Sequence, residues 1–132
     1  ATRKFIESNY SPFEEENETI ISIVSVAEIY SLAAKHKWRD TKLKVVEKLI
    51  DNLIVIEIRY KDFIEAYVDI ETFSNESHPE KSKTGNAIKM GENYLWIATT
   101  AKITNSKLIT SDNYFDHLDS EYFDVIKYYN QD

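Results

Sequence analysis

Apolar positions along this chain switch repeatedly between two periodicities, and the switches divide it into alternating elements. Residues 20–24, IISIV, form a mainly apolar run that suits a buried strand. SVAEIYSLAA follows and predicts a helix over 26–37, with Ile29, Leu32 and Ala33 on one face. Asp40 or Thr41 is placed to cap a further helix to about residue 52, in which Leu43, Val46, Leu49, Ile50 and Leu53 recur at helical spacing. Residues 53–58 read as a strand, and 61–73 as a helix burying Phe63, Ile64, Tyr67, Ile70 and Phe73. Beyond them come a helix over 93–103 with Trp96 and Ile97 in the core, a strand over 107–110, a helical turn over 115–118 and a last strand over 123–128. A short helix is expected over 3–9, stopped by Ser11-Pro12 and followed by an acidic, solvent-facing loop of Glu14, Glu15, Glu16 and Glu18. The polar stretch 74–86, with Pro79 and Gly85, is the one long loop. Strands alternating with helices imply an α/β protein whose parallel sheet is flanked by helices on both faces. One domain over 1–132, without internal repeats, is the expected organisation.

This pattern sets two carboxylates just past two strands, where open parallel sheets bind their ligands. Asp112 ends the run Leu-Ile-Thr-Ser-Asp, and Glu28 stands in what reads as the first turn of the helix after residues 20–24. Each has a structural explanation as well. Ser25-Val-Ala-Glu28 fits a capping box, and Asp112 fits a turn in which an aspartate bonds its own backbone. If the sheet is continuous, the two carboxyl groups are expected to converge closely enough to share a metal or a bridging water. Asp116 and Asp119 read as caps of the short helical turn or as solvent-facing groups. His36, His78 and His117 are widely separated without metal-ligand spacing and read as surface or rim histidines. There is no glycine-rich phosphate loop and no evident Ser-His-Asp arrangement, and without cysteine a thiol enzyme is excluded.

Three segments, SIVSVAEIYSLA, MGENYLWIATTA and LITSDNYFDHL followed by FDVIKY, together resemble the PIN domain, most closely the small ribonuclease toxins of the VapC family. The resemblance runs from about residue 3 to residue 128. It implies a three-layer α/β fold and a cluster of acids holding Mg²⁺ or Mn²⁺ to hydrolyse RNA, the ions lowering the pKa of bound water and stabilising charge on the attacked phosphate. Carried over residue by residue, it assigns Glu28 and Asp112 as metal ligands and Thr110 as a supporting hydroxyl. It further implies a cognate antitoxin packed across the helices, a homodimer, and a cytoplasmic setting. The sequence departs from the family at two places. Tyr94 stands where the family has an aspartate, and the family's opening strand with Asp-Thr/Ser-Asn has no counterpart in these residues. A phenol does not supply the anionic oxygen a hard cation prefers. Glu92 replaces the missing ligand only if the backbone there is not yet helical. Tyr114 likewise stands where relatives often carry a second acid. The alternative implied by these departures is a catalytically dead PIN-like domain that binds a protein or RNA without cutting it.

Charge modifies this picture. The net charge of −7 opposes general attraction to a phosphate backbone. The locally basic stretch Lys35, Lys37, Arg39, Lys42, Lys44 and Lys48 is a solvated helix surface that offers phosphate contacts. No apolar run approaches the roughly 20 residues of a membrane helix, and the expectation is a soluble, intracellular protein without disulfides. Nine tyrosines are more than one small core readily hides, which points to an apolar interface.

Overall fold

The computed structural model describes residues 18–55 and 59–129. The chain divides after Glu57 into two compact units. The expected helix over 3–9, its Ser11-Pro12 stop, Glu14 to Glu16 of the acidic loop and positions 56–58 of the second strand lie outside the described residues.

The first unit runs β1 (Ile20–Ile21), α1 (Ile23–Lys35), α2 (Asp40–Asp51) and β2 (Ile54–Val55). The strands pair in parallel, with Ile20 opposite Ile54 and Ile21 opposite Val55. The expected strand over 20–24 is cut short because Ser22 accepts the N–H of Val24 at 3.2 Å and so caps α1. Ile23 and Val24 are therefore helical. The anticipated capping box from Ser25 does not form, and Glu28 falls in the second turn of α1 rather than the first. Arg39, not Asp40 or Thr41, holds the cap position of α2 and gives it no side-chain hydrogen bond. Leu43, Val46, Leu49 and Ile50 do share the inner side of α2, but only partly buried, and Leu32 on α1 is exposed.

The second unit runs α3 (Tyr60–Ser74), α4 (Glu92–Ile103), β3 (Leu108–Thr110), a 3₁₀ segment (Asn113–Leu118) and β4 (Val125–Lys127). β3 and β4 are parallel, with Leu108, Ile109 and Thr110 opposite Val125, Ile126 and Lys127. Helices α3 and α4 pack together, and Ile70, Phe73, Leu95, Ala98, Phe115, Leu118 and Phe123 form the core between them and the strand pair. Ile64 was expected inside but is exposed. It lies beside Val68 on the flank of α3, one residue off the stripe through Phe63, Ala66, Tyr67, Ile70 and Phe73. The overall class is thus mixed helix and strand with short parallel strands, paired two by two among the described residues.

Helices α1, α3 and α4 end alike, although the chain has only two glycines. Lys37, Glu76 and Asn105 adopt left-handed backbone (φ 50°, 65° and 52°). The next amide reaches back to the last turn in each case, Trp38 to Ala33 at 3.0 Å, Ser77 to Thr72 at 2.8 Å and Ser106 to Ala101 at 3.0 Å. These are Schellman stops made without glycine.

Candidate site at the ends of β3 and β4

Side chains build the turn that follows β3. The Thr110 hydroxyl accepts the backbone N–H of Asp112 at 3.0 Å, and Asp112 Oδ1 accepts that of Tyr114 at 3.0 Å. Asp112 is therefore the cap of the 3₁₀ segment, as its turn-forming chemistry foresaw. That role uses one carboxylate oxygen and fixes a half-buried acid at the carboxyl end of a parallel strand, so capping and ligand binding are compatible.

Tyr94 comes to the same edge from the first turn of α4. Its ring stacks on Tyr114, with centroids 4.7 Å apart and planes 26° apart, and meets buried Phe115 edge-on at 5.7 Å and 68°. Position 94 is thus in contact with the residue two places beyond Asp112. Glu92 opens α4 and is already helical, which turns it roughly 200° around the axis from Tyr94. It is exposed and does not take the place of an acid at 94. Asp116 is exposed and accepts from Lys127 Nζ at 2.6 Å, while the same ammonium also donates to Asn113. Asp119 follows the 3₁₀ segment and accepts the N–H of Val125 at 2.9 Å.

Within residues 59–129 the edge therefore offers Asp112 as its one carboxylate not tied to an ammonium, with the Thr110 hydroxyl behind it. That donor set does not by itself fit Mg²⁺ or Mn²⁺, which call for several anionic or neutral oxygens. No three histidine, aspartate or glutamate side chains gather in a metal-holding group within either unit among the described residues. Glu28 belongs to the first unit and is exposed there. The lysines and arginine of the basic stretch are exposed too, and Lys42 lies over the Trp38 ring at 4.1 Å.

Two of the histidines read as rim residues are instead built into polar networks. His78 Nδ1 accepts the N–H groups of Glu80 and Lys81 at 3.0 and 2.9 Å, so the proton sits on Nε2 and is donated to Asp69 Oδ1 at 2.8 Å. Tyr122 donates its hydroxyl to the same oxygen at 2.6 Å, and Lys102 Nζ approaches Oδ2 at 3.7 Å. Burial alone would raise the Asp69 pKa, but the hydrogen bonds from Tyr122 and His78 and the charges of Lys81 and Lys102 outweigh it and hold the carboxyl below its ordinary value. Burial and the Asp69 carboxylate push the Tyr122 hydroxyl far up, so it remains a donor. The network ties the loop after α3 and the segment before β4 to α3. Tyr122→Phe is expected to cost about 1–2 kcal/mol, the range for a hydrogen bond to a partly solvated carboxylate. Denaturant unfolding of the two proteins measures it, and an unchanged midpoint would show that the bond contributes nothing.

His117 forms the other network. Its Nε2 lies 2.7 Å from the Ser74 hydroxyl, and its ring stacks on Phe73 at 6.4 Å. Nδ1 is buried near the Tyr114 carbonyl, but not in a geometry that completes a hydrogen bond. This pair is not a nucleophilic site, since Ser74 is only 1% exposed and no carboxylate hydrogen-bonds the imidazole. Burial first, then the charge of Lys83, lowers the His117 pKa below 6.5, against smaller opposing effects of the Tyr114 carbonyl and Asp116. A depressed folded-state pKa stabilises the fold fully above the unfolded value of 6.5, and the contribution is lost as pH falls through the folded value. Stability should therefore decline as pH falls from about 6.5 towards the lower folded-state value, and His117→Gln should flatten the decline. Denaturant titrations between about pH 8 and pH 5 test this; parallel pH curves for the two proteins would contradict it.

In comparisons with known proteins, the chain matches no protein-family model and no curated sequence.

Proposed function

We propose that this chain is a PIN-like domain of the metal-dependent ribonuclease type found in VapC toxins, with Asp112 in its site and with Tyr94 at the position of a lost acid. The observation that carries the reading is the contact of the Tyr94 ring with Tyr114, two residues past Asp112 at the carboxyl end of β3. A side chain at 94 is thereby a neighbour of the Asp112 turn, as a shared acidic site requires. In this reading the short parallel strands belong to a three-layer α/β fold, and Mg²⁺ or Mn²⁺ is the cofactor. RNA is the substrate, and Thr110 orients Asp112 through its backbone amide. Cleavage by the chain as it stands is weak, because a phenol occupies the place of a ligand. The test is Tyr94→Asp, assayed for Mn²⁺ binding and RNA cleavage.

Exposed apolar side chains support the partner half of the proposal. Tyr30 and Leu32 on α1 and Val45 on α2 stand open to solvent, the kind of surface that a homodimer or an antitoxin segment would cover in the cytoplasm. A second reading, a non-catalytic binding module on the same fold, is favoured by one specific feature. Tyr94 is built into an aromatic cluster with Tyr114 and Phe115, which position 94 would not need merely to tolerate a lost ligand.

A further inference from the structure

We propose that the edge of the second unit at the carboxyl ends of β3 and β4 binds a single-stranded RNA by stacking an unpaired base on Tyr114. Thr110 pairs with Lys127, so residues 111–114 and Tyr128 and Tyr129 leave the strands on the same side. Tyr94 backs Tyr114 at 4.7 Å, and Tyr94 is itself held edge-on by Phe115, which is 2% exposed. Tyr114 is nevertheless 50% exposed, and Tyr129 is 80% exposed. A ring covered on one side by an immobilised neighbour presents its other side without having to be ordered on binding.

The charges at this edge decide what kind of contact is available. Asp112 and Asp116 are acidic, and the nearby ammonium, Lys127, is engaged by Asp116 and Asn113. Lys127 is thus already committed to protein partners, in a chain whose net charge is −7. What remains attractive is the π-face of a base, and stacking of a base on an aromatic side chain is worth about 1–3 kcal/mol. Binding of this kind depends on the bases and only weakly on salt, the reverse of backbone-driven binding.

The choice of RNA rests on the ribonuclease reading, so the test avoids cleavage. Fluorescence anisotropy is measured with a labelled 2′-O-methyl oligoadenylate and with an abasic strand of equal length, in EDTA, at low and high salt. The expected result is binding of the base-bearing strand alone, a shallow salt dependence, and retention of binding in Tyr114→Phe. Tyr114→Ala should weaken it by about tenfold. Tyr114→Leu, which keeps an apolar cover over Tyr94 without a stackable ring, should weaken it as well and guards against a folding defect in the alanine variant. Equal binding of the two strands, a steep salt dependence, absence of binding, or unchanged affinity in Tyr114→Leu would overturn the proposal. If stacking fails while Tyr94→Asp gains cleavage, the ribonuclease reading stands alone. Base-dependent binding without any gain of cleavage would uphold the stacking site and remove the nuclease.

Discussion

Tyr94→Asp is expected, on the ribonuclease proposal, to raise Mn²⁺ affinity by on the order of a hundredfold and to bring RNA cleavage up with it. Disturbing a metal's outer-shell partners alone costs about 10- to 100-fold in affinity, and a ligating carboxylate contributes at least as much. Metal binding also requires deprotonated ligands, a condition that aspartate meets at neutral pH and a phenol does not. Asp112→Asn in the same background should abolish the gain. The substitution has a structural cost, because the Tyr94 contacts with Tyr114 and Phe115 disappear and each aromatic pair contributes about 0.5–1.5 kcal/mol beyond its buried area. Cleavage must therefore be compared below the melting temperature of both proteins. Robust metal-dependent cleavage by the Tyr94 protein would refute the account of a damaged site. A folded Tyr94→Asp protein with no gain would favour the binding module.

Leu118→Ala should destabilise the second unit by about 2–5 kcal/mol. Leu118 is fully buried, closes the 3₁₀ segment, and shares the core with Phe115 and Phe123. Neighbours that belong to helices and a strand pair have little freedom to collapse into the vacated volume, so the cavity penalty adds to the lost transfer energy. Against a typical total of about 5–15 kcal/mol, such a loss leaves little margin. Trp96, packed on the Phe63 ring at 4.6 Å, is a natural fluorescence probe of unfolding in this unit. A loss under about 1 kcal/mol, the level of an ordinary surface change, would mean that the 3₁₀ segment is not part of the cooperative core.

Much of the second unit was legible from periodicity. Residues 93–103 were expected as a helix and form Glu92–Ile103, with Gly91 at the cap position. The start of α1 was not, since Ile23 and Val24 prolong a mainly apolar run that a strand would also show. The deciding signal was Ser22, a better-placed cap than Ser25. At the candidate site, the Asp112 turn was readable because Thr110, Asp112 and Tyr114 are sequence neighbours. The pairing of Tyr94 with Tyr114 required α4 and the end of β3 to be brought together first. Nothing local announced Tyr122 with Asp69 or Ser74 with His117, which are 53 and 43 positions apart. His78 in particular lies in a stretch whose polarity read simply as loop, although its backbone-locked tautomer gives it a fixed donor.

The route from β3 to β4 has a consequence for how the molecule assembles. Parallel strands usually wait for a crossover helix, but here residues 111–124, with only a 3₁₀ segment, carry the chain from Thr110 to Val125. Closing so short a connection costs little chain entropy, and contacts of low sequence separation form early. The strand pair is thus closed by a short connection whose buried side chains, Phe115 and Leu118, take their cover from α3 and α4. The turn that presents Asp112 and Tyr114 lies within that connection and is held by hydrogen bonds between sequence neighbours, so its shape depends on the β3–β4 closure and little on the rest of the chain.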